Sequence, residues 1–140
     1  MPHRPLISLD TNIFIFGLRS IDPYSVAVLK NLFQYDARIS VQVEKELRNN
    51  VSHLELKEFY SLIEPLSSFE IVYRQPEQTV LHDYQKLGLK TGDALIAAFC
   101  RDEDIEIFIS ENRHFLQRLP DQPFEILDSE LFCERFKLSV

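Results

Sequence analysis

The stretch LISLDTNIFIFGL, residues 6–18, decides how the chain is read. Leu6–Leu9 is a short, mostly apolar run, suited to a strand covered on both faces. It runs straight into Asp10-Thr11-Asn12, and the chain turns apolar again at Ile13. An acid and an amide at the end of a buried strand either cap a helix or open an active site. The stretch alone supports both readings, and the remaining residues have to separate them.

Working outward, the same short apolar pattern returns in FEIV (69–72), EIFIS (106–110) and FEIL (124–127). ARIS (37–40) is a shorter fifth candidate. Helical patterns lie between them. Residues 22–33 open on an Asp-Pro signal, and residues 76–87 open on a proline. Residues 41–63 are long enough for two helices, broken near Asn49-Asn50, and residues 92–104 are apolar at helical spacing. NRHFLQRL (112–119) and DSELFCERF (128–136) are the last helical patterns. Strands alternating with helices predict an α/β fold: a three-layer α/β/α domain over residues 1–140, with a central, mainly parallel sheet of four or five short strands. In such sheets ligands bind beyond the carboxyl ends of the strands, which is where Asp10 stands.

The totals agree with one globular unit. Of the 140 residues, 45% are hydrophobic and 26% charged, and only three are glycine, so flexible linkers are not expected. No apolar run approaches the ~20 residues of a membrane span, and MPHRP does not resemble the start of a signal peptide. A cytoplasmic location is expected. Cys100 and Cys133 sit among apolar helix formers with no zinc-type spacing, and are read as buried free thiols. The net charge of −7 argues against bulk attraction to nucleic acid but leaves room for acids that recruit cations.

Several acids stand where chemistry is expected. Asp10 follows the first strand, Glu44 and Glu46 follow the strand at 37–40, Asp93 heads a helix, and Glu111 and Asn112 follow EIFIS. Each has an ordinary reading. Asp10 and Asp93 suit a helix cap or first turn, Glu44 a solvated helix face, and Glu111 an exposed first-turn acid. Glu46 borders the apolar stripe marked by Val43 and Leu47. Together the acids weigh more, because clustered carboxylates at a core edge are costly and a divalent ion offsets both burial and repulsion. Oxygen ligands from Asp, Glu and Asn suit Mg²⁺ or Mn²⁺.

At this point LISLDTNIFIFGL resembles the opening strand and first acidic motif of PIN-domain ribonucleases, in particular the small, toxin-like VapC-type bacterial members. ISVQVEKELRNN (39–50) resembles their second motif, in which a Ser is followed six residues later by a metal-binding Glu. TGDALIAAFC (91–100) resembles the third motif and EIFISENRHF (106–115) the fourth. The resemblance implies a metal-dependent endoribonuclease that leaves a 5′ phosphate, using Mg²⁺ or Mn²⁺. It implies metal binding and catalysis by Asp10, Glu46, Asp93 and Asn112. Asn12 and Ser110 would orient that set, and the preferred phosphate contacts are Arg113 and His114. Lys45, Arg48, Lys90 and Arg118 are further rim cations, each of which alone reads as a solvated charge. Asn112 departs from the pattern, since many members carry Asp there; an amide can ligate but brings no charge and cannot act as a base. The resemblance further implies an RNA substrate, a small antitoxin partner and a homodimer. Phe33, Phe59 and Tyr60 suit such interfaces or the core.

Two other classes stand beside this one. LDTN also resembles the opening of aspartyl-nucleophile phosphatases, but their second acid is Asn12 here. The other is a PIN-like binding module, catalytically weak or inactive, whose acids serve only as caps.

Overall fold

The computed structural model describes residues 4–112, 115, 119 and 121–140. Five strands form one sheet: β1 (Leu6–Leu9), β2 (Asp36–Ser40), β3 (Phe69–Val72), β4 (Ile107–Ile109) and β5 (Glu125–Leu127). Their order is β3-β2-β1-β4-β5, and every pairing is parallel. The described helices are α1 (Thr11–Leu18), α2 (Pro23–Lys30), α3 (Val41–Asn50), α4 (His53–Ile63), α5 (Gln78–Lys86), α6 (Thr91–Asp102) and α7 (Ser129–Phe136), with a 3-10 turn at Leu32–Gln34. The predicted α/β class and sheet hold, and the short ARIS candidate is a true strand lengthened by Asp36.

The two central strands, β1 and β4, are apolar apart from the buried Ser8, because helices cover both faces. Ile7, Leu9, Phe108 and Ile109 have no exposed surface. Phe14 on α1 meets Phe59 on α4 edge to face, with ring centroids 5.0 Å apart. Phe59 and the half-buried Tyr60 therefore belong to the core side, whereas Phe33 is 60% exposed. Both cysteines are free and buried, as expected. Burial holds the Cys133 thiol up at about 11, and Cys100 well above its usual range, so neither is poised as a nucleophile.

Local chemistry sets the helix starts. Asp22 accepts hydrogen bonds from the amides of Tyr24 and Ser25 at the head of α2, with Pro23 following it. α3 stops at Asn50, and a capping box of Ser52 and Glu55 starts α4, so residues 41–63 do divide near Asn49-Asn50. α5 begins two residues after Pro76: the Glu77 amide is used by the Asp102 carboxylate at 3.1 Å, and Glu77 keeps an extended backbone. α1 had no readable period, because an apolar run of this length fits a strand as well as a helix. Gly17 lets α1 and α2 pack closely; a Cβ there would stand 2.4 Å from the Leu29 side chain. The helical pattern at 112–119 lies largely outside the described residues.

The chain lays β2 and β3 on one side of β1, then returns to place β4 and β5 on the other. The order of strands reverses between β1 and β4, so their carboxyl ends flank the crevice where α/β folds bind ligands.

Candidate active site at the β1–β4 crevice

Asp10 leaves β1 with its amide donating to the Ile109 carbonyl of β4 at 2.9 Å, which fixes it at the reversal point. It is the N-cap of α1, and its Oδ1 accepts from the Thr11 amide at 2.8 Å. Its Oδ2 accepts from the Ser110 hydroxyl at 2.6 Å. One oxygen of Asp10 thus caps the helix, as one of its sequence readings expected, while the other is held by Ser110 at the end of β4. Only 5% of Asp10 is exposed. Its pKa is raised from 3.8 to about 6, first by burial and then by the fields of Glu46 and Asp93, against the hydrogen bonds from Ser110 and Thr11.

Glu46 reaches the same place from α3. Its Oε1 accepts from the Thr11 hydroxyl at 2.7 Å and its Oε2 from the Gln42 side-chain amide at 3.0 Å. Gly92, at the head of α6, makes room for it: a Cβ there would lie 3.0 Å from Glu46 Oε2. The next residue, Asp93, is half-buried in the first turn of α6. Asn112 closes the ring, with its side-chain nitrogen 3.5 Å from Asp93 Oδ2 and its backbone amide donating to the Ser110 hydroxyl at 2.9 Å. Asn12 does not touch Asp10 in the described contacts; its Oδ1 accepts from the Glu111 amide at 3.3 Å. Arg113, His114 and Arg118 lie outside the described residues.

Two acids differ from their sequence reading. Glu44 is not on a solvated face: it is 4% exposed, and Oε2 accepts from the Tyr60 hydroxyl at 2.6 Å and the Tyr73 hydroxyl at 3.3 Å. α3 packs against both the sheet and α4, so its buried stripe widens from Val43 and Leu47 to include position 44. Arg48, considered as a rim cation, donates to the same Tyr60 hydroxyl at 3.0 Å. Glu111 is half-buried rather than exposed, and its carboxylate is bonded to Ser129 at the head of α7. The supports missed from sequence were Thr11 and Gln42. Gln42 lies one helical turn before Glu46, and that spacing was the available signal.

The donor chemistry fits a hard divalent cation: three carboxylates and an amide around one crevice, two of them felt electrostatically by Asp10. Among the described residues, no three His, Cys, Asp or Glu side chains are already grouped to hold one ion. Glu46 is drawn instead to Thr11 and Gln42.

A family model for the PIN domain matches residues 7–120. The chain belongs to the PIN domain family. PIN domains are in general nucleases, and those nucleases typically use divalent metals. No curated protein matches the chain by sequence. Among solved structures, the PIN fold of this chain is similar to VapBC2 from Rickettsia felis, bound to a DNA fragment from its promoter: TM-score 0.62, 21% identity, covering 88% of this chain and 98% of that one. A toxin-antitoxin complex from Klebsiella pneumoniae gives 0.56 at 22% identity, covering 86% and 99%. PAE2754 from Pyrobaculum aerophilum gives 0.62 at 15% identity, covering 96% and 97%. Identities this low speak for the fold. No described helix is long and apolar enough to cross a membrane.

Proposed function

We propose that this PIN domain, residues 1–140, is a Mg²⁺- or Mn²⁺-dependent endoribonuclease and the toxin of a toxin-antitoxin pair. The observation that carries the reading is the convergence of Asp10, Glu46 and Asp93 on the β1–β4 reversal, with the Asp10 carboxyl raised to about 6 by burial and by its two acidic neighbours. Raised carboxyls of this kind cluster at functional sites.

In this reading Asp10, Glu46, Asp93 and the Asn112 side-chain oxygen hold the ion. When bound, the ion supplies an activated water and positive charge for a phosphoryl transition state. The protein's own groups do the rest. Ser110 and the Thr11 amide hold Asp10 by one donor on each oxygen. Asp10 is the first candidate to take a proton from an attacking water, since in the metal-free protein it is already ionised at neutral pH. Asp93 is the second candidate for that role. Thr11 and Gln42 keep Glu46 aimed between α1 and α6. Arg113 and His114 are proposed as phosphate contacts.

The partner, assembly and location follow the same line. The Rickettsia felis and Klebsiella pneumoniae neighbours are toxin-antitoxin assemblies, which supports a small antitoxin partner for this chain. A cytoplasmic homodimer acting on RNA completes the proposal. A second reading, a catalytically weak binding module, draws on Asn112, which removes one anion from the crevice. The phosphatase reading is weaker, because Asn12 cannot supply a general acid and its oxygen is occupied by the Glu111 amide.

The test is cleavage of a mixed pool of structured RNAs by the purified chain with Mn²⁺, with EDTA, and as Asp93→Asn. Metal-dependent cleavage lost in the variant supports the nuclease. No cleavage, together with no Mn²⁺ stabilisation in a thermal melt, leaves the binding module.

A further inference from the structure

We infer that Glu111 is a positioning residue, strapping the segment that carries Ser110 and Asn112 to the head of α7; the inference rests on the nuclease reading above. Three consecutive residues divide their work. Ser110 turns inward to Asp10. Asn112 turns inward too, with its amide on the Ser110 hydroxyl and its side chain toward Asp93. Glu111, between them, turns to α7, where its Oε1 accepts from the Ser129 amide at 2.8 Å and from the Ser129 hydroxyl. Its own amide donates to Asn12 Oδ1, so the segment is held from both sides.

The anchor is buried and shared. Ser129 is 1% exposed, and its hydroxyl also lies 2.9 Å from Asp22 Oδ2, the carboxylate that caps α2. The Ser129 amide is the first of α7 and has no acceptor within the helix, so the Glu111 oxygen satisfies a donor that the helix leaves open. The strap has a chemical consequence. Glu111 is the acid beside Asn112, the position where an anion is missing, and the obvious substitute for it. To serve as a ligand it must abandon both Ser129 contacts. Its role in this geometry is to accept hydrogen bonds, which a neutral amide oxygen can also do, whereas a ligand or base needs its charge.

The experiment compares wild type, Glu111→Gln, Glu111→Ala and Ser129→Ala as full chains in Mn²⁺, below the melting temperature of each. Misplacing a site by about 1 Å costs up to ~10²-fold in rate, so Glu111→Ala is expected to lower kcat by about 10–100-fold with little change in KM. Glu111→Gln is expected to restore most of that loss, and Ser129→Ala, which keeps the backbone donor, to fall between. A Glu111→Gln variant as inactive as Glu111→Ala overturns the inference in favour of a charged ligand. Wild-type kcat in Glu111→Ala overturns it outright. An activity-free arm separates this inference from the nuclease reading. Hydrogen exchange at the Asn112 amide should quicken by at least about tenfold in Glu111→Ala, and not in Glu111→Gln, while α6 amides hold steady. That result with neither RNA cleavage by wild type nor its stabilisation by Mn²⁺ discards the nuclease and keeps the strap; unchanged exchange discards the strap.

Discussion

The two ends of the sheet handle charge in opposite ways. At the amino ends of the strands, a cavity of about 420 Å³ is lined by Arg4, Asp36, Arg38, Glu70 and Glu106 together. Cations and anions alternate there: Arg38 lies 3.7 Å from Glu70, and Arg4 is spent on the carbonyls of Gln34 and Phe33. At the carboxyl ends, no described Lys or Arg forms an ion pair with Asp10 or Glu46. Those acids are held by neutral donors from Thr11, Ser110 and Gln42. Mixed charges at a solvated edge are cheap and contribute little. Burying a carboxylate costs stability and like charges beside it add to the cost; Asp10 carries both as a raised pKa, burial being the larger cause.

That contrast is broken most sharply at Asp93. Replacing it by Asn is expected to reduce Mn²⁺-dependent RNA cleavage by about 10³-fold or more, because a lost ligand removes several kcal/mol of transition-state stabilisation. Full activity in Asp93→Asn, measured under single-turnover conditions, would sink the site assignment.

Next in size is a gain in stability. In metal-free protein Asp10 binds its proton up to about pH 6, whereas the unfolded chain releases it near 3.8. The folded state holds more protons between those values, so stability falls as pH rises through that window and the whole penalty is present above it. Asp10→Asn removes the penalty. With EDTA at pH 7–8 it is expected to be more stable than wild type by about 3 kcal/mol, and equal to it near pH 3. Denaturant melts across pH test the sign.

Cation binding should offset the same penalty. At about 100 times its dissociation constant, Mn²⁺ is expected to stabilise wild type by about 2.7 kcal/mol, more at pH 7 than at pH 5, where the proton on Asp10 competes. Asp10→Asn should lose most of that stabilisation in the same thermal melt. The smallest effect belongs to the other end of the sheet. Arg38→Ala removes a solvent-exposed pair and is expected to change stability by less than about 1 kcal/mol, with cleavage as in wild type. A larger change in either would mean that the two ends are coupled.

Much of this molecule was legible before folding. Short, mostly apolar strands between helical patterns gave the class, because a parallel sheet covered on both faces keeps few polar positions in its central strands. Asp22-Pro23 and the Asn49-Asn50 break were readable because capping is local chemistry. α1 was not readable, since Ile13, Phe14, Ile15 and Phe16 carry no polar face to count from. Glu44 and Glu111 were misread for a related reason: periodicity ranks a position by its own helix and cannot see the tyrosines of a neighbouring element or the head of α7.

By itself the sequence determined the alternation of elements, the placing of Asp10 and Ser110 after strands and of Asp93 at a helix head, and Asn112 two residues beyond Ser110. These are facts of order along the chain. Only the tertiary structure decided that the reversal between β1 and β4 brings residues a hundred positions apart within 2.6 Å, that Thr11 and Gln42 hold Glu46, and that Glu111 is held at the head of α7. The physical reason is that a carboxylate's role is set by which donors and which like charges reach it. Those neighbours come from different elements, and only packing brings them together.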